Sequence, residues 1–246
     1  MSGQPTPPLL VEAFAKNATT CTPAAPVPGG KTAPFPSTSQ IGVTNGAASL
    51  VDGFPPLTMT ALTSGGTPPF GVDMNGILYL LSSHIAALQA GQWYGWSSTL
   101  ETAMGGYAQG AIVQQAADLN AFWISTTAGN TTDPDTGGAG WMSTKPLYNS
   151  SAPTAGAHNN VALPGPSDYF LDVDTTAGNL SYTGLVAQRD MQRVTITNTG
   201  ANLLTLSALT GSTSGNQFRL PTDLALVQNQ SVSLQYVTAV TKWVVA

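Results

Sequence analysis

Three aspartates, Asp168, Asp172 and Asp174, stand close together in the stretch DYFLDVD. Paired carboxylates are what glycoside hydrolysis needs, one as general acid and one as nucleophile or base. In an extended segment Asp172 and Asp174 project from one face, a placement that equally suits a charged strand edge discouraging edge-to-edge pairing. The two histidines, His84 and His158, lie in a helical and a polar stretch, with no G-x-S-x-G, H-E-x-x-H or Walker loop beside them. The DPDTGG loop at 133–138 opens like a calcium loop but lacks its third oxygen ligand and distal glutamate, so a turn is expected. Arg189, Arg193 and Arg219 could gather as a small cationic spot for an anionic sugar or carboxylate, or pair with Asp190 and Asp223. Cys21 is the only cysteine, which excludes an intrachain disulfide. The expectation is a chain with no catalytic residue, metal or cofactor.

Composition narrows the class further. Only 8% of the 246 residues are charged, against roughly 25% in ordinary soluble domains, while Gly (26) and Pro (18) are abundant. Surface polarity must therefore come from Ser, Thr, Asn and Gln, as suits a β-rich particle component pressed against many neighbours. A net charge of −5 without any Lys/Arg cluster argues against nucleic-acid binding. No stretch approaches 18 consecutive apolar residues and no basic segment precedes an apolar run at the start, so neither membrane insertion nor a signal peptide is expected.

The elements that would position any site fall into five parts. Residues 1–58 are rich in proline and lack a sustained period, which predicts an extended arm ordered by contact with a partner. Within it Leu9–Ala18 could form a short helix and Ser39–Leu50 a hairpin around Asn45-Gly46. Residues 59–92 join a Pro/Gly connector to a helix, with Asp73 as its expected N-cap and Gly91 at its end. The pairs Pro55-Pro56 and Pro68-Pro69, with Phe54 and Phe70, predict a rigid docking segment. In the helix Met74, Leu78, Leu81, Ile85 and Leu88 follow spacings of 4, 3, 4 and 3, an a/d seam for a bundle or the buried face of an amphipathic helix.

Residues 93–147 predict a small aromatic β module. A helix over Ser98–Met104 starts from a Ser98/Glu101 capping box, and strands follow over Gly110–Gln115 and Ala121–Thr126. Residues 148–160 read as a linker. Residues 161–246 alternate apolar and polar positions over six to eight short segments, among them Tyr169–Val173, Leu180–Tyr182, Arg193–Asn198, Phe218–Leu220 and Ser231–Val237, which predicts a β-sandwich or jelly-roll-like unit. The fold class expected is thus mainly β with a short helical segment.

Several of these stretches resemble the tail fibre and tail structural proteins of tailed bacteriophages, including those carried as prophages. The resemblance is carried by FPPLTMTALTSGGTPPFGVDMNG with the following GILYLLSSHIAALQAG, by GGYAQGAIV, LNAFWIST and TTDPDTGGAGW in that order, and by AQRDMQRVTITNTGANLLTLSAL, NQFRLP and SVSLQYVTAVTKWVVA. It implies a homotrimer with the helix seam on the threefold axis, an arm docked on other tail or baseplate proteins, location in the virion tail, and attachment to a host surface glycan or pilus. A connector carrying another fibre, or a tail polysaccharide hydrolase, are the alternative roles. The middle block also resembles small carbohydrate-binding modules of the chitin-binding type, which would make Tyr107, Trp123 and Trp141 a candidate glycan platform. A module of this size also needs large aromatics simply to make a core.

Overall fold

The computed structural model describes Leu10 and residues 12–246. Among these residues most of the regular structure is strand, arranged in several small sheets with two α-helices, and the chain divides into two compact units at Trp93/Tyr94.

In the first unit the expected free arm is instead packed along a helix. Two short parallel strands, β1 (Thr20–Cys21) and β2 (Lys31–Thr32), pair with each other, and β2 lies against α1 (Gly71–Gln89). Gly76 permits this close approach, since a Cβ there would sit 2.4 Å from the Thr32 carbonyl oxygen. Lys31, although charged, is buried; its Nζ donates to the carbonyls of Ala15 and Lys16 and rests 4.0 Å from the centre of the Tyr79 ring. The chain is further tied down by Asn75 Nδ2 donating to the Gly30 carbonyl and Phe14 N–H donating to Ser82 Oγ. These polar ties replace the large apolar core that the proline-rich sequence cannot supply.

Asp73 is not the N-cap. Phe70 holds that position with extended backbone, and Asp73 lies in the first turn, fully buried. The expected hairpin at Ser39–Leu50 is a series of turns, and residues 12–18 form turns rather than a helix; Leu9 and Val11 of that stretch lie outside the described residues. The docking segment is also more folded than a polyproline rod. Pro56–Met59 and Leu62–Ser64 are 3-10 turns, closed by the Thr67 N–H donating to the Leu57 carbonyl.

The second unit begins with α2 (Ser98–Met104), capped by the Ser97 hydroxyl accepting from Leu100 N–H and stopped by Gly105 at φ 72°. The cap is one residue earlier than expected, so Glu101 is not placed for the reciprocal capping-box bond. An antiparallel sheet follows, formed by β3 (Ile112–Gln114), β4 (Phe122–Ser125) and β5 (Trp141–Ser143). The third of these strands, which follows the DPDTGG turn, adds to the two expected from the sequence.

The rest of the unit is not the expected sandwich or jelly roll. Strands β6 (Leu147–Ser151), β9 (Tyr169–Val173) and β12 (Arg193–Asn198) pair in parallel. So do β7 (Gly156–His158), β10 (Leu180–Tyr182) and β13 (Leu204–Leu206), and so do β8 (Val161–Ala162) and β11 (Leu185–Val186). The chain therefore winds through successive coils, each stacked on the one before, in the manner of a β-solenoid. Gly156, Leu180 and Leu204 stand one above another at intervals of 24 residues. The antiparallel strands β14 (Leu224–Leu226), β15 (Ser231–Val237) and β16 (Lys242–Val245) then extend the two larger sheets, β14 on β13 and β15–β16 on β12.

The residues expected to form a linker at 148–160 accordingly supply the first coil. Phe218–Leu220, expected as a strand, makes only isolated bridges to Ala208 and Trp243. Inward residues of the coils form one core, including Leu171, Val173, Tyr182, Val194, Ile196, Leu204, Phe218 and Trp243. Buried amides stitch the coils together. Asn198 Nδ2 donates to the Asn202 and Leu226 carbonyls while its Oδ1 accepts from Thr175 Oγ1, and Gln192 Nε2 donates to the Gly165 and Ser167 carbonyls. Each satisfied amide fixes one turn of chain against the next, because a slipped register would bury it without partners.

Candidate functional site

The a/d residues of α1 are all exposed: Met74 44%, Leu78 36%, Leu81 54%, Ile85 49% and Leu88 52%. At 3.6 residues per turn they fall within about 80° of one another around the helix axis. Val72, Asp73 and Gly76, which are buried, point away from that stripe and toward the packed segment. The described residues of the first unit therefore do not bury this stripe. The docking residues are mixed. Pro55 is buried, Phe54 and Phe70 are half-buried, and Pro56, Pro68 and Pro69 are exposed. The 3-10 turns between them hold Met59 (75%) and Leu62 (66%) outward, two residues the sequence reading did not select.

Tyr107, Trp123 and Trp141 do not share an exposed face. Tyr107 and Trp141 are buried and meet edge to face, with ring centres 5.6 Å apart. The Tyr107 hydroxyl accepts from Ser97 N–H and Trp141 Nε1 donates to the Thr132 carbonyl. Trp123 is partly exposed, packs on the same cluster and donates from Nε1 to Asp135 Oδ1 at 2.8 Å. These rings build the core of the small module, the role its size demands. The DPDTGG loop is a turn, in which Asp133 Oδ1 accepts from Asp135 N–H. No cluster able to hold a metal ion occurs among the described residues.

The aspartates around β9 are each engaged separately. Asp168 pairs with Arg189 and accepts from Arg193 N–H; Asp172 accepts from the Tyr148 hydroxyl at 3.0 Å; Asp174 accepts from Thr176 N–H and Oγ1. The bonds from Thr176 hold the Asp174 carboxyl below the ordinary aspartate range, whereas the Asp172 carboxylate holds the Tyr148 phenol above its ordinary value. The partner of Arg189 is thus Asp168 rather than Asp190, although Arg189 Nη1 also donates to the Asp190 carbonyl.

A different surface emerges on the outward face of the five-stranded sheet. Tyr148 and Phe170 are register partners on adjacent parallel strands, exposed by 68% and 50%. The row continues through Thr195 to Ser233, whose hydroxyls are 2.9 Å apart. A second row runs Ser150, Asp172, Thr197, Ser231. Beside Phe170 a groove of about 480 Å³ is lined by Asp168, Arg193, Thr195, Ser233 and Gln235, among others. Sequence reading missed this face because Tyr148 was placed in a linker. The signal was there in the alternation of YFLDV, which sends Phe170 outward when Tyr169, Leu171 and Val173 point in.

The sequence matches no protein-family model and no curated protein.

Proposed function

We propose that this chain is a structural component of a tailed-phage tail fibre or tail tip, assembled as a homotrimer through α1 and serving attachment to the host cell surface. The observation that carries this reading is the stripe Met74, Leu78, Leu81, Ile85, Leu88, exposed along a helix whose other side is already occupied. Burying a large apolar side chain contributes about 1.5–3 kcal/mol. With each of the five already about half covered, closing the stripe is worth on the order of 5 kcal/mol per chain before the cost of association. Its a/d spacing fits the same stripe of further copies, since knobs at a and d enter holes made by like helices.

In the assembled tail the half-buried Phe54 and Phe70, with Met59 and Leu62 on the 3-10 turns, would face a neighbouring tail or baseplate subunit. The alternative as a connector for another fibre shares both contacts and differs in what the second unit binds. The hydrolase alternative is weakened because Asp172 and Asp174 are committed to Tyr148 and Thr176 rather than to a shared substrate cleft.

Light scattering of the full-length chain tests the central claim. The expected molar mass is that of three copies, falling to one in Leu81→Asp with the circular dichroism of the β units unchanged. A monomer in both proteins would refute assembly through α1. For docking, Met59→Ser/Leu62→Ser should abolish incorporation into particles while leaving the molar mass at three copies; normal incorporation would refute docking through those turns.

A further inference from the structure

We propose that the outward face of the five-stranded sheet binds a saccharide, with pyranose rings stacked on Phe170 and Tyr148 and their hydroxyls taken by the groove at Arg193, Thr195 and Ser233. This rests on the attachment reading above and gives it a ligand class and a site.

The two residues stand at adjacent strand positions, their backbones about 4.8 Å apart in the pairing direction. Parallel in-register pairing sends both side chains outward at the same level, leaving two exposed aromatic rings side by side on one face. Tyr148 is fixed at its far end by donating to Asp172 Oδ2, so its ring needs little ordering on binding. A sugar ring offers an apolar C–H face that such rings cover and an equatorial rim of hydroxyls that must be hydrogen-bonded.

The groove supplies that second half. Thr195 and Ser233 bond one another through a single contact, which leaves each hydroxyl spare capacity for a ligand. Arg193 has no carboxylate partner among the described residues, because Asp168 is paired with Arg189 and bonds only the backbone N–H of Arg193. Its guanidinium is a fork suited to adjacent hydroxyls or to a carboxylate substituent.

A second protein chain is the less fitting occupant. Protein interface centres are depleted in serine and charge, whereas the row beside the aromatic pair is Ser150, Asp172, Thr197 and Ser231, with Thr197 and Ser231 bonded to each other at 2.9 Å.

The test passes the full-length chain over a panel of immobilised oligosaccharides containing hexoses, N-acetylhexosamines and uronic acids. The wild-type chain is expected to be retained on at least one. Phe170→Ala and Tyr148→Ala should each weaken that retention about tenfold, equivalent to about 1.4 kcal/mol, with thermal unfolding and molar mass unchanged. Phe170→Leu keeps an apolar side chain but removes the flat ring, and it should lose binding as well. Retention of no sugar by the wild-type chain overturns the proposal, and so does retention indifferent to all three substitutions. A fall in molar mass in Phe170→Ala overturns it too, marking the face as a contact between copies. A trimer that binds no sugar leaves the fibre reading standing without this site; a monomer that binds sugar through Phe170 leaves the site standing without the α1 assembly.

Discussion

Replacing Asp73 by alanine should release the first part of the chain from α1. The carboxylate is fully buried and accepts two hydrogen bonds, from Thr32 Oγ1 at 2.6 Å and from the Ala48 N–H at 2.8 Å. Both donors are themselves buried, so removing the acceptor strands them away from water. A hydrogen bond to a charged group contributes about 1.5–3 kcal/mol, and a stranded donor costs a similar amount. The acid also sits in the first turn of the helix, where the macrodipole favours negative charge.

Together these place the loss at about 3–5 kcal/mol for the first unit, with the second unit unaffected. Hydrogen exchange followed by mass spectrometry reads this directly. Protection of the amides near residues 31–33 and 47–49 should fall by at least about a hundredfold, at roughly 1.4 kcal/mol per factor of ten, while amides of β9 and β12 keep theirs. Asp73→Asn should fall between the two proteins, because its oxygen can satisfy one donor while its amide N–H meets the other. A change below tenfold in Asp73→Ala would refute the reasoning that this acid holds the segment in place.

Two further predictions concern the second unit. Asn198→Ala removes a buried amide that serves Thr175, Gly200, Asn202 and Leu226; a loss of about 3–4 kcal/mol should lower the midpoint of thermal unfolding by about 10 °C, and a shift under 3 °C would contradict it. Hydrogen bonds from Thr176 and Thr238 hold the Asp174 and Asp190 carboxyls below the ordinary aspartate value of about 3.9. Their contribution is therefore complete above the unfolded-state value and lost as pH falls through the lower folded-state values. Urea midpoints measured from pH 5 downward should drop less in Asp174→Asn/Asp190→Asn than in the wild-type chain, and identical slopes would contradict this.

Local patterns carried much of the fold. Tyr169–Val173, Leu180–Tyr182, Arg193–Asn198 and Ser231–Val237 are strands as the alternation predicts, because one face of each meets the core. Alternation does not say which strand lies next to which, and a parallel coil shows the same inside-out rhythm as a sandwich. The missing clue was recurrence at long range: Thr-Ala-Gly occurs at 154–156, where it runs into β7, and again at 176–178, shortly before β10, the strand that stacks on β7. Asp73 was misplaced for a different reason. An acid near a helix start reads as a cap, and only the distant partners Thr32 and Ala48 reveal its role. The aromatic trio shows a third limit, since residue type alone does not separate a ring that forms a core from one that faces a ligand; burial decides, and it leaves Tyr148 and Phe170 outside.

The stacking of Gly156, Leu180 and Leu204 has a bearing on how such a chain changes length over evolution. Because each coil presents the next with the same strand edges, an insertion or deletion of one whole coil, matching the offsets of 22 to 25 residues between the paired strands, preserves the ladders, while a change of a few residues must be absorbed in a turn. The module can therefore grow or shorten in discrete steps of about 4.8 Å, each step adding one more row of outward side chains to the same surface. Length and outward surface area are set by a single number, the count of coils.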